Sequence, residues 1–331
     1  MRFVRFIGVA LLSLVAALAL VDAGVRAAFP SLPRLEDNFS AAYLTRVIER
    51  GGVTNHVVFL GDSVLWGYRL PASETATERL ARRGVAVTNL SFEGGSMVNT
   101  YAMLRVMSAR GAAPRAVVFN VNVKEFNAAD SAYRTLYPAV ETLAWDVLTP
   151  QERGLLKQTR PQSSDAAVDR GLSRWWGLYG MRAEMRELLF GAPDAATAIR
   201  GVLGDASGRN ARTEAAHRPT AERFLGTYDL APLAGDNVEV VFLRKTVALL
   251  AAAGIPAVAI LTPANHALLH DYIDVPDYDA QLRYIRAALG PRVRVLDYDR
   301  AFASAEFIDN DHLTAAGNAR LADMLYPVLP R

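Results

Sequence analysis

The 331-residue chain has no cysteine. Disulfides, thiolate metal sites, a lipid-modified cysteine and a cysteine nucleophile are therefore excluded. It also lacks a dominant charge: 36 Lys and Arg stand against 34 Asp and Glu, a formal net charge of +2. The basic residues are scattered, so nucleic acid is not an expected partner. No Gly-rich loop with its lysine follows the first strand-like run, which argues against a phosphate cradle. His266 and His270 stand four apart but without an accompanying acidic ligand motif, so neither a metal nor another cofactor is expected. No internal repeat is visible. With 51% apolar and 21% charged residues, the composition is that of a chain with a sizeable core, not a disordered one.

The N-terminus departs from this average. Arg2 and Arg5 precede a charge-free apolar stretch, Phe6 to Val21, closed by Asp22 and Arg26. Basic residues before an apolar run are an export pattern. Residues 1–29 are accordingly expected to be a signal anchor, with a cleaved signal peptide as the alternative. The positive N-terminus would place the remainder on the periplasmic or extracellular face of the inner membrane.

Beyond a short linker at Pro30 to Pro33 and a helix over Asn38 to Glu49, residues 30–331 read as one domain. Short apolar runs rich in β-branched residues recur at His56–Leu60, Val85–Leu90, Ala116–Val121, Ala257–Leu261 and Val293–Leu296. Helical patterns lie between them at Glu74–Arg83, Thr100–Arg110, Val238–Ala253 and Tyr278–Leu289. This alternation predicts an α/β fold with a central parallel sheet of about five strands, covered on both faces. Roughly 129–235 interrupts the rhythm with Trp145, Trp175, Trp176 and no convincing strand, and is read as a helical insertion. Within it, Gly204 to Arg212 reads as a loop.

The strand His56–Leu60 runs into Gly61-Asp62-Ser63, which places a serine at the carboxyl end of a buried strand, where open α/β sheets bind ligands. Near the other end stand Asp309 and His312, three residues apart and within reach of each other in a single turn. Serine is a weak nucleophile that needs a base, and the base needs a partner to fix its tautomer and stabilise its cation. His312 is the candidate base and Asp309 its orienter. Asp311 is a rival orienter, although its adjacency to His312 makes the geometry harder.

Gly61-Asp62-Ser63 and Asp309-x-x-His312 together resemble the SGNH, or GDSL, hydrolase superfamily, and among its members the envelope polysaccharide O-acetyltransferases and esterases. The likeness runs from about His56 to the C-terminus, excluding the insertion. It implies a flavodoxin-like three-layer α/β/α sandwich and an oxyanion hole built from the serine N–H, a glycine N–H and an asparagine side chain. Such donors are needed because charge gathers on the carbonyl oxygen during acyl transfer. Gly94, after the second strand, matches the glycine. The third block departs from the family's Gly-x-Asn: here Asn120-Val121-Asn122-Val123-Lys124 offers Asn122 as the donor, or Lys124 in a register two residues later. Asp62, Lys124, Asn265 and His266 are candidates for contacting substrate.

These readings converge on a serine acyl-transfer enzyme, an O-acetyltransferase or acetylesterase acting on an extracellular polysaccharide or other acylated envelope substrate. A transferase would call for a membrane-embedded partner delivering acyl groups. The competing expectation is a non-catalytic carbohydrate-binding or exopolysaccharide-assembly protein on the same fold.

Overall fold

The computed structural model describes residues 2–28, 39, 41–127, 135–156 and 226–330, with a few isolated positions between 157 and 225. Two helices come first, α1 (Arg2–Ala28) and α2 (Ala41–Glu49). The α/β part follows as β1 (Val57–Leu60), α3 (Ser63–Trp66), α4 (Ala76–Arg82), β2 (Val87–Asn89), α5 (Met97–Ala109) and β3 (Ala116–Val121). After a 3-10 turn at Val123–Phe126 come α6 (Pro138–Ala144) and α7 (Pro150–Leu155). The chain ends with α8 (Val238–Ala252), β4 (Ala257–Leu261), α9 (His266–Ile273), α10 (Pro276–Leu289), β5 (Arg294–Asp297) and α11 (Ala315–Leu325).

The five strands form one all-parallel sheet in the order β2-β1-β3-β4-β5. Every residue of β1, β3 and β4 is buried, as their apolar sequences require of strands covered on both faces. Side chains alternate between two cores with the period of a strand. Val58, Leu60, Val117, Phe119, Ala259 and Leu261 pack with α2, α5, α6, α8 and α10. Val57, Phe59, Val118, Val258 and Ile260 face α4 and α11. The result is the expected α/β/α sandwich. The edge strand β5 is partly exposed, consistent with its charged ends.

This strand order reverses direction between β1 and β3, and a ligand crevice is expected beyond their carboxyl ends. The first strand feeds the Ser63 turn and the third feeds Asn122 directly into that crevice.

Within the segment read as an insertion, α6 and α7 are helical, each opened by a proline. Glu152 of α7 is buried against α5 and α8, accepting hydrogen bonds from the Tyr101 hydroxyl at 2.5 Å, Arg105 at 3.2 Å and Lys245 at 3.1 Å. Burial opposes its ionisation, but the Tyr101 hydroxyl, the Thr149 backbone N–H and Lys245 hold its carboxyl down at about 2. Trp175 and Gly204 to Arg212 lie outside the described residues.

The N-terminal expectation requires correction. Although residues 2–28 are helical, no helix among the described residues is long and apolar enough to cross a membrane. The charge-free run from Phe6 to Val21 falls short of the roughly 20 apolar residues a spanning helix needs. The inner-membrane anchor is therefore withdrawn, and with it the periplasmic or extracellular setting and membrane attachment inferred from it.

Candidate active site

Gly61 leaves β1 with a φ of +149°, and a Cβ there would stand 1.8 Å from Asn120 Oδ1. Only glycine fits this turn. Asn120 occupies the space: its Oδ1 accepts the Asp62 N–H at 3.1 Å, and its Nδ2 donates to Thr262 Oγ1 at 2.9 Å. Asp62 caps α3, its Oδ1 accepting the Val64 N–H at 2.8 Å. Ser63 is thereby fixed as the first residue of α3, its own N–H one of the donors that a helix start leaves without an intrahelical partner.

The loop between β5 and α11 brings His312 to this turn. Thr314 begins α11, its hydroxyl accepting the Gly317 N–H at 3.2 Å, and the Ile308 N–H donates to His312 O at 2.7 Å. Between those two anchors the loop folds on itself. Asp309 Oδ1 accepts the backbone N–H groups of His312 at 3.0 Å and Asp311 at 3.3 Å. Both Asp309 oxygens also lie against His312 Nδ1, at 2.9 and 2.8 Å. The opposite ring nitrogen, Nε2, is 2.8 Å from Ser63 Oγ. A carboxylate can only accept, so Nδ1 carries the proton and Nε2 accepts from the serine hydroxyl. Ser63, His312 and Asp309, from opposite ends of the domain, thus form one continuous hydrogen-bonded chain.

The electrostatics agree with that arrangement. Burial penalises the Asp309 carboxylate, but the hydrogen bond and charge of His312 outweigh it and hold the carboxyl at about 2. Burial likewise disfavours the imidazolium of His312, yet the charge of Asp311 and the Asp309 hydrogen bond raise its pKa above the ordinary histidine value.

The third block differs from expectation. Asn122 spends both amide hydrogens on carboxylates, donating to Asp62 Oδ2 at 3.1 Å and Asp311 Oδ2 at 2.8 Å. In this arrangement it has no hydrogen left for an oxyanion. Lys124 forms an ion pair with the same Asp311 oxygen. Asp311 is 1% exposed, with its other oxygen 3.5 Å from His312 Nδ1. The rival orienter is therefore the inner member of a pair of acids around the base, with Asp309 making the direct hydrogen bond.

The second block meets the serine turn closely. Phe92 N–H donates to Gly61 O at 3.1 Å, and a Cβ on Gly95 would lie 2.0 Å from that oxygen. Gly95 is thus the glycine required by close approach. Gly94 has a φ of +74° with open space around its Cβ position, and it remains the exposed glycine on this loop.

Asn265 and His266 are engaged elsewhere than in a pocket. Asn265 caps α9 and braces the histidine loop, donating from Nδ2 to Asp309 O at 3.0 Å and from its backbone N–H to Asn310 O at 2.8 Å. His266 lies between two acids, Asp274 at 2.6 Å and Asp299 at 2.9 Å. Sequence alone missed Asn120 as the buttress of the serine turn and Tyr68, whose ring centre is 4.4 Å from that of His312. The unusual asparagine in the third block was the available signal for the first; an aromatic five residues past the serine carries none.

Among the described residues, one group of acidic and imidazole side chains has ligand atoms close enough to share a cation: Asp309, Asp311 and His312, within 4.8 Å. Both His312 nitrogens are already engaged there. Two cavities lie elsewhere. One of about 480 Å³ is lined by Arg283, Arg286, Asp299 and Arg300, and one of about 260 Å³ by Glu125, Asn127, Asn237 and Glu239. No protein-family model matches this sequence, and no curated protein matches it.

Proposed function

We propose that the protein is a serine acyl-transfer enzyme of the SGNH type, acting on O-acetyl or related esters of a carbohydrate. The observation that carries this reading is the hydrogen-bonded chain from Ser63 Oγ through His312 to Asp309. In the first half-reaction Ser63 Oγ attacks the acyl carbonyl carbon while its proton passes to His312 Nε2. Asp309 holds Nδ1–H and stabilises the imidazolium. The oxyanion is received by the Ser63 N–H at the start of α3 and by the Gly94 N–H. Collapse breaks the ester bond, and the departing alkoxide takes the proton from His312. The acyl-serine is then attacked by an acceptor hydroxyl that gives its proton to His312, and as the acyl–Oγ bond breaks His312 returns that proton to Ser63 Oγ: the acceptor is water for an esterase and a sugar hydroxyl for an O-acyltransferase.

The commitment of Asn122 to Asp62 and Asp311 favours a second reading, a carbohydrate-binding protein without turnover. Hydrolysis of 4-nitrophenyl acetate by the wild type and by Ser63→Ala separates the two. The catalytic reading expects hydrolysis that falls at least about 10³-fold in the variant. Equal rates favour the binding reading.

A further inference from the structure

The two residues after the serine helix have an unusual relation to the catalytic histidine. Gly67 ends α3 in the left-handed region and donates its N–H to Ser63 O at 3.0 Å, and the Tyr68 N–H reaches the same oxygen at 3.1 Å. The Leu70 N–H closes a turn onto Gly67 O at 3.1 Å. This turn lays the half-buried Tyr68 ring against the His312 ring, with centres 4.4 Å apart. Arg69, next in sequence, is exposed and carries its guanidinium 5.0 Å above the centre of the Tyr68 ring. The order outward from the nucleophile is therefore serine, imidazole, phenol ring, guanidinium.

Arg69 reaches this place at a cost to its backbone, with a φ of +58°. Among the described residues Asn55 is the other non-glycine at positive φ. Asparagine tolerates that region through its short polar side chain; arginine has no such relief. Arg69 has no acidic partner among the described residues. A strained backbone that holds an unneutralised guanidinium over the ring packed on His312 points to a ligand charge as its counterpart.

We infer that Arg69, seated on Tyr68, selects a carboxylate-bearing acylated sugar, so that the substrate class is an esterified uronate rather than a neutral glycan. The planar fork of a guanidinium matches a carboxylate with two parallel hydrogen bonds. The inference rests on the acyl-transfer reading for the word substrate, but its binding test does not.

The test uses the full chain carrying Ser63→Ala, so that ester is bound and not consumed, and two probes that differ only at C6: the methyl glycosides of O-acetyl glucuronic acid and of O-acetyl glucose. Calorimetric titration should give on the order of tenfold tighter binding of the uronate, diminishing as salt is raised. Adding Arg69→Gln should remove that preference, and Arg69→Lys should restore part of it. Arg69→Gly should also lose the preference while melting at the same temperature or higher, because glycine is unstrained at this φ. The inference is overturned if the two glycosides bind equally, if neither binds, or if the preference survives Arg69→Gln. A lowered melting temperature in Arg69→Gly would assign the residue to the fold instead. Failure of ester hydrolysis in the wild type, with uronate binding intact, would sink the acyl-transfer reading and leave the anion site standing.

Discussion

Two histidines of this protein stand in similar company and have opposite prospects. His266, at the start of α9, has an acid on each ring nitrogen, Asp274 on Nδ1 and Asp299 on Nε2. Around it the Tyr278 hydroxyl donates to Asp299 at 2.6 Å and Arg300 reaches Asp274 at 2.6 Å. It is a closed cluster in which every charge is answered. His312 has Asp309 on Nδ1, but its Nε2 faces the hydroxyl of Ser63. Burial pulls both imidazolium pKa values down, and neighbouring acids more than compensate, so both end above the ordinary histidine value. A raised pKa therefore does not distinguish the two histidines. What distinguishes them is the group opposite the second nitrogen.

Exchanging each histidine is the strongest way to break that comparison. His312→Ala should lower kcat/KM for a 4-nitrophenyl ester by about 10³-fold or more, because the serine loses its base. His266→Ala should instead leave most of the activity in place. It leaves Asp299, which is 3% exposed, with only Tyr278 and a distant Arg300, and should cost about 2 kcal/mol of stability in a denaturant titration with kcat/KM changed by less than about tenfold. If the histidines exchange these phenotypes, the division between the two clusters is wrong.

The pH dependences sharpen it further. His312 acts as a base only when neutral, so kcat/KM should rise with pH through a midpoint above 6.5, the value from which its pKa is raised. His266 contributes through its cation. A histidine whose folded pKa lies above its unfolded one stabilises fully below the unfolded value and loses that contribution as pH rises through the folded one. The stability cost of His266→Ala should accordingly be larger at pH 6 than at pH 9, where activity is expected to be greatest. Parallel trends would show that the two rings do not titrate as their surroundings require.

Much of this was legible before the structure. The five strands lay where β-branched runs stood, because strands covered on both faces must be apolar along their whole length; only the ends moved, as at β5, which runs Arg294–Asp297 and includes the partly exposed edge. Ser63, His312 and Asp309 stood out because a serine at the carboxyl end of a buried strand and an acid three residues before a histidine are local signals, and the structure joins them in one hydrogen-bonded chain across 249 residues. The third block was not. Whether Asn122 donates to an oxyanion or to carboxylates depends on where Asp62 and Asp311 arrive in space, positions 60 and 189 residues away in the chain. The acidic partners of His266 were not legible for the same reason: Asp274 and Asp299 come from separate loops. The N-terminal segment shows the reverse failure, in which a local pattern of charge and apolarity suggested a membrane span that the helix does not support.

The central claim is that Ser63 is a nucleophile because His312 is its base. Mass spectrometry after treatment with a fluorophosphonate tests it most directly. One adduct is expected, on the peptide containing Ser63, formed by the native protein and slowed at least about 10²-fold in His312→Ala. An unlabelled Ser63, or labelling at the same rate without His312, would contradict it.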